Sequence, residues 1–264
     1  MTASETVVVT PAPRKRRAPV VITVILLVLT LLVVGFIALD AWARQQVADY
    51  VSEKVRSVLS LDSDQPVEVE IGGTSVIAQV VTGSLERIDV GVDDVTIGDL
   101  SGGVTLRAEG VPVDASRAVD RVQIEFRVKE DGLQSIASTL SASAIDSVQL
   151  DDGEIRFGTE LSIFGVPFTV GIGVEPFADG GEIGLTPTSV ELGGTRSTAE
   201  ALIETFGRPA QELLQTRSLC VAEWLPESFG VDDVEVRDTE LVVTIGAQKA
   251  LFDEGSLSRL GSCE

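Results

Sequence analysis

Hydrophobic positions change their period twice along this chain. Residues 18–39 carry no charge and present apolar side chains on every side of a helix. Beyond Asp40, Val47, Val51, Val55 and Val58 recur at helical spacing, with Tyr50 and Leu59 on the same side and Gln46, Glu53 and Arg56 among the polar positions. That pattern predicts an amphipathic helix from about Asp40 to Leu61. After Pro66 the period falls to two: Val67, Val69 and Ile71 alternate with glutamates, and Val104 and Leu106 with Thr105 and Arg107. The same alternation sets Val122, Ile124, Phe126 and Val128 against Gln123, Glu125, Arg127 and Lys129. Each such strand has one face for a core and one for water.

Further strands are predicted at Leu85–Ile97, Ser147–Leu150, Glu154–Ile163, Phe168–Val174, Ser189–Leu192 and Asp233–Ile245. Glycine and aspartate separate them, as in Asp152-Gly153 and Gly102-Gly103, where a positive φ would suit a tight hairpin. The expected result is a long antiparallel meander. Helical spacing returns at Leu133, Ile136, Ala137 and Leu140, and at Ala199, Leu202, Ile203 and Phe206 behind the capping candidates Ser197 and Thr198. Pro209 suits the first turn of one more helix carrying Leu213 and Leu214.

The apolar run is long enough to span a hydrocarbon core of roughly 30 Å at about 1.5 Å per residue. Arg14, Lys15, Arg16 and Arg17 precede it, which by the positive-inside rule places the N-terminus in the cytoplasm and everything after Asp40 outside. A cleavable signal peptide is the competing reading, because Ala41-Trp42-Ala43 resembles a small-x-small cleavage site. The run exceeds the roughly 7–15 apolar residues of a signal-peptide core, which favours an uncleaved anchor. The expected organisation is a disordered basic tail over 1–17, a transmembrane signal anchor over 18–39 in the plasma membrane, and an extracytoplasmic domain over 40–264.

Charge narrows the partners. The 221 residues after Ala43 hold 16 of the 20 Lys and Arg and 39 of the 41 Asp and Glu, a net charge of −23. Such a surface opposes nucleic acid and broad adsorption onto an anionic bilayer, so lipid would have to be handled by enclosing its apolar part. Cys220 and Cys263 are the two cysteines, and in an oxidising compartment an even pair reads as a disulfide.

The chain has no histidine, which removes His-based acid–base catalysis, the Ser-His-Asp triad and the usual zinc sites. Asp93-Asp94, Asp151-Asp152 and Asp232-Asp233 sit beside strand ends or turns. Neighbours on a strand point to opposite faces, so these pairs read as solvated turns before they read as calcium ligands or glycosidase acids. No catalytic residue, metal site or cofactor is expected.

What remains is apolar surface. Phe157, Phe164, Phe168 and Phe177 crowd a glycine-rich stretch whose strands can bend around a ligand or around the domain's own helices. The candidate cavity lining is Val76, Ile77, Val80, Ile136, Leu140, Phe164, Phe168, Leu202 and Phe206.

The order of elements resembles the LmeA family of phospholipid-binding proteins of actinobacterial cell envelopes. The features that carry the likeness are the signal anchor, the amphipathic helix, the Val67–Ile71 strand, Ser75-Val-Ile-Ala-Gln-Val-Val81 and Gly83-Ser-Leu-Glu-Arg-Ile-Asp-Val90. Near the other end, Trp224-Leu225-Pro226 precedes Val234-Glu-Val236, Asp238 and Leu241-Val-Val-Thr-Ile-Gly246. The resemblance implies an α+β, TULIP-like fold, a long curved antiparallel sheet wrapped on a few helices around a tubular apolar cavity. It also implies binding of phospholipids, phosphatidylinositol-type lipids among them, and support of envelope lipid or lipoglycan assembly without catalysis. The alternatives from the residues alone are a non-catalytic envelope scaffold with a solid interior and, behind it, a carboxylate-based glycosidase.

Overall fold

The protein is described from a computed structural model covering residues 18–59, 61–62, 64–97, 100–134, 145–151, 153–163 and 166–263. Two compact units divide the chain, Met1–Ala43 and Arg44–Glu264. In the first, the described side chains of Leu26, Leu31, Leu32, Phe36, Ile37 and Leu39 are all exposed. Among the described residues, one helical stretch, Leu29–Ser57, with a mean hydropathy of 1.2, is long and apolar enough to cross a membrane. It lies within α1, Ala18–Leu59.

The second unit is β-rich. Its first sheet joins β1 (Glu68–Ile71), β2 (Ser84–Ile97), β3 (Leu100–Pro112), β4 (Val119–Lys129), β12 (Glu240–Ala250) and β11 (Phe229–Arg237), in that order. The second sheet runs β10 (Arg217–Cys220), β8 (Glu182–Leu192), β7 (Val166–Asp179), β6 (Glu154–Ile163) and β5 (Ser147–Asp151), with β9 (Thr195–Thr198) also on β8. All pairings are antiparallel, and among the described residues neither sheet closes into a barrel. The β-rich domain expected behind an apolar helix is therefore present, divided into two sheets where the sequence predicts one meander. The sheets pack through Val236 and Leu241, which meet Val148, Leu150, Ile155 and Val174 of the second sheet.

Short helices are set by local signals. In α2, Val76–Thr82, the Ser75 hydroxyl accepts from the Ala78 N–H at 3.2 Å and Gly83 closes the helix with φ +86°. The left-handed conformation suits glycine there because it has no Cβ. The helix α3, Ala199–Phe206, is capped by Thr198, and α4, Arg208–Leu213, has Pro209 in its first turn, both as the sequence predicts. Of the helix read around Leu133, residues 130–134 are helical, while Ile136, Ala137 and Leu140 lie outside the described residues.

Two glycine readings part ways. Gly153 does turn the chain with φ +81°, but Gly102 and Gly103 lie inside β3, opposite Val128 and Arg127. A Cβ on Gly102 would stand 2.1 Å from the Arg127 carbonyl oxygen, so close strand approach, not turn geometry, requires the missing side chain. The acid pairs shift too: Asp93-Asp94 and Asp232-Asp233 mark β-bulges, in β2 between Val92 and Val95 and in β11 between Val231 and Asp233. A bulge lets consecutive residues both reach solvent, and all four are exposed.

The disulfide forms between Cys220 and Cys263, Cα atoms 5.8 Å apart, tying β10 to the segment after β12. Closing this loop contributes about 4 kcal/mol in the chain-entropy treatment.

Gln79 is the buried polar side chain that joins α2 to the first sheet. Its Nε2 donates to the Gly72 carbonyl at 3.0 Å and its Oε1 accepts from the Glu86 N–H at 2.6 Å. Gln79→Leu leaves both backbone groups without these partners and is expected to destabilise the domain by about 2 kcal/mol, read as a lower urea midpoint at unchanged slope.

Candidate functional site

Alternation in β2, β3 and β4 puts every second residue on one face, and the register aligns these residues across strands. Three rows result: Val92–Val104–Phe126, Val90–Leu106–Ile124 and Ile88–Ala108–Val122. The opposite face is polar, with Arg107 bonded to Asp89 at 2.6 Å and Arg127 to Thr105 at 3.0 Å. The Asp89 hydrogen bond raises the pKa of the Arg107 guanidinium, consistent with a fixed outer ion pair. The two faces follow from the period-two sequence alone.

The nine apolar side chains form one wall of a cavity of about 630 Å³. Val51, Lys54, Val55 and Leu59 of α1 stand over it, and Val111, Val119 and Phe252 complete the lining. Gly110 has φ +61°, and past it the alternation changes phase, so Val111 joins Ala108 on the cavity side. Phe252 is held edge-on to Phe229 with ring centroids 6.2 Å apart. Val47, Ala48, Val51 and Val55 pack against Ile71, Val76, Ile88 and Val90, so the helix is seated on the sheet beside the cavity. Arg44 fixes it further by donating to the carbonyls of Ile71 and, at 3.1 Å, Gly73.

A volume of this size lies within the range of small-molecule sites. At roughly 30 Å³ per water-sized group it houses about twenty methylenes. Each methylene taken from water contributes about 0.8 kcal/mol, so hydrocarbon is the ligand such walls reward. Among the described residues no group of His, Cys, Asp or Glu is placed to hold a metal ion.

The positions singled out from the sequence lie elsewhere. Val76 is buried in the packed cluster of Ile71, Leu85, Ile88 and Val90, and Ile77 and Leu202 are half-buried. Val80, Phe168 and Phe206 are exposed, Phe168 beside Gly193. Ile136, Leu140 and Phe164 fall outside the described residues. The described six are spread over α2, β7 and α3, and none of them lines this cavity. The sequence signal that marks this cavity is the register: three neighbouring strands with apolar residues in phase and a helix of matching valines.

A β-rich domain with an open apolar cavity of ligand size fits the class of proteins that hold hydrocarbon chains. The profile of the LmeA-like phospholipid-binding family matches residues 38–246, most of the chain, and the protein belongs to that family. No curated protein and no solved structure matches it.

Next to Phe252, Asp253 caps α5, Glu254–Leu257, by accepting from the Ser256 N–H at 3.0 Å and the Ser256 hydroxyl at 2.8 Å. These bonds hold the Asp253 carboxyl below its usual range. A depressed folded-state pKa contributes stability above the unfolded value of about 3.9 and loses it as pH falls through the folded value. Asp253→Asn is therefore expected to cost stability at pH 7, and the gap to the parent protein to shrink below about pH 4, measured by denaturant titration at both pH values.

Proposed function

We propose that this is a membrane-anchored, extracytoplasmic phospholipid-binding protein that holds acyl chains in the cavity beneath α1. Residues 18–39 act as the anchor in the plasma membrane, with Arg14–Arg17 keeping the N-terminus cytoplasmic. The Cys220–Cys263 bond suits an oxidising compartment outside the cytoplasm. The observation that carries the reading is the three-by-three apolar wall facing about 630 Å³ of space, in a chain of a phospholipid-binding family. Its role is binding, in support of envelope lipid or lipoglycan assembly, with phosphatidylinositol-type lipids among the ligands.

The test is lipid recovery from the Arg44–Glu264 unit, purified without detergent and examined by native mass spectrometry and organic extraction. The expected result is about one phospholipid per chain. Val104→Trp, which fills the cavity from the middle of its wall, is expected to lower that occupancy at least fivefold while the circular dichroism stays that of the parent. Lipid-free parent protein that takes up none from liposomes would sink the proposal.

A further inference from the structure

The cavity lining contains one charged residue, Lys54. It shares the cavity face of α1 with Val51, Val55 and Leu59, and its side chain is exposed. A lysine in this position lays its aliphatic stem along the apolar wall and carries its ammonium to the opening. On a helix the partners for an ion pair stand three or four residues away, and here those positions are Tyr50, Val51, Ser57 and Val58. Among the described residues Lys54 makes no ion pair or hydrogen bond, whereas Arg87, Arg107, Arg121 and Arg127 of the adjoining sheet are each paired with a carboxylate.

The contrast matters in a domain with a net charge of −23. A surface of that sign repels an anionic ligand at every approach except where a cation stands unpaired. A phospholipid carries its phosphodiester where its acyl chains end, so a chain entering the cavity brings that phosphate to the opening where the ammonium lies. We propose that Lys54 is the headgroup-phosphate contact of this site, and that it makes the protein favour net-anionic phospholipids over zwitterionic ones. The inference rests on the cavity being the acyl-chain site.

The test uses the full chain in a mild non-ionic detergent and two lipids with the same fluorescent acyl chain, phosphatidylglycerol and phosphatidylcholine. Binding is read as the fluorescence rise on entry into the apolar cavity. The expected result is tighter binding of phosphatidylglycerol, with an advantage that shrinks as salt rises from 50 to 500 mM, about tenfold. Lys54→Gln is expected to weaken phosphatidylglycerol about fivefold and phosphatidylcholine less than twofold, and Lys54→Arg to retain the preference. Equal loss of both lipids in Lys54→Gln would remove the preference for the anionic headgroup and overturn the proposal, as would no loss of either. Those outcomes leave the cavity reading standing. Failure of the parent protein to bind either lipid overturns both.

Discussion

Antiparallel register between β2, β3 and β4 is the constraint on which the rest of the domain depends. It places Val90, Leu106 and Ile124 side by side, and it places Asp89 and Arg107 side by side on the other surface. A slip of one residue would turn every valine of β3 toward water and bring Arg107 inward, at a cost no local rearrangement offsets. Two devices hold the alignment. Gly102 allows β4 to approach where a Cβ would collide with the Arg127 carbonyl, and the bulge at Asp93-Asp94 takes up the extra residue of β2. The helix above can then treat the sheet as a fixed floor.

Legibility followed the range of the interactions involved. Period-two and period-3.6 patterns are local, so the amphipathic face of α1, the alternation in β4, the cap at Thr198 and the first-turn Pro209 could be read from the residues alone. The division of the strands into two sheets could not, because β12 pairs with β4 across more than a hundred residues and nothing local announces that partner. The site escaped for a related reason. Leu106 and Val76 are both apolar and inward-facing, yet one borders open space and the other is packed tight against Ile71 and Ile88. Alternation tells which way a side chain points and not whether anything meets it there. The phenylalanine-rich stretch around β7 points to Phe168 and the helical spacing of α3 to Phe206, and both are exposed.

The acidity of the domain and the apolar cavity divide the labour of recognition. Carboxylates spread over the outer surface, several of them tied to arginines across strands, keep the domain apart from polyanions without defining a ligand. The cavity walls are hydrocarbon and by themselves carry no preference for a headgroup. A single polar position at such an opening therefore carries more weight than it would on an ordinary surface.

The late arrival of β12 has a consequence for the order of assembly. Pairing runs from Glu240 opposite Lys129 to Ala250 opposite Val119, and the chain then delivers Phe252 to the cavity. Contacts separated this far in sequence form slowly, because loop closure must precede the gain from pairing. The floor of β2, β3 and β4 can form early, while the side closed by Phe252 has to wait for strands that come more than a hundred residues later. The lining of the cavity is thus complete only once the last strand is in place.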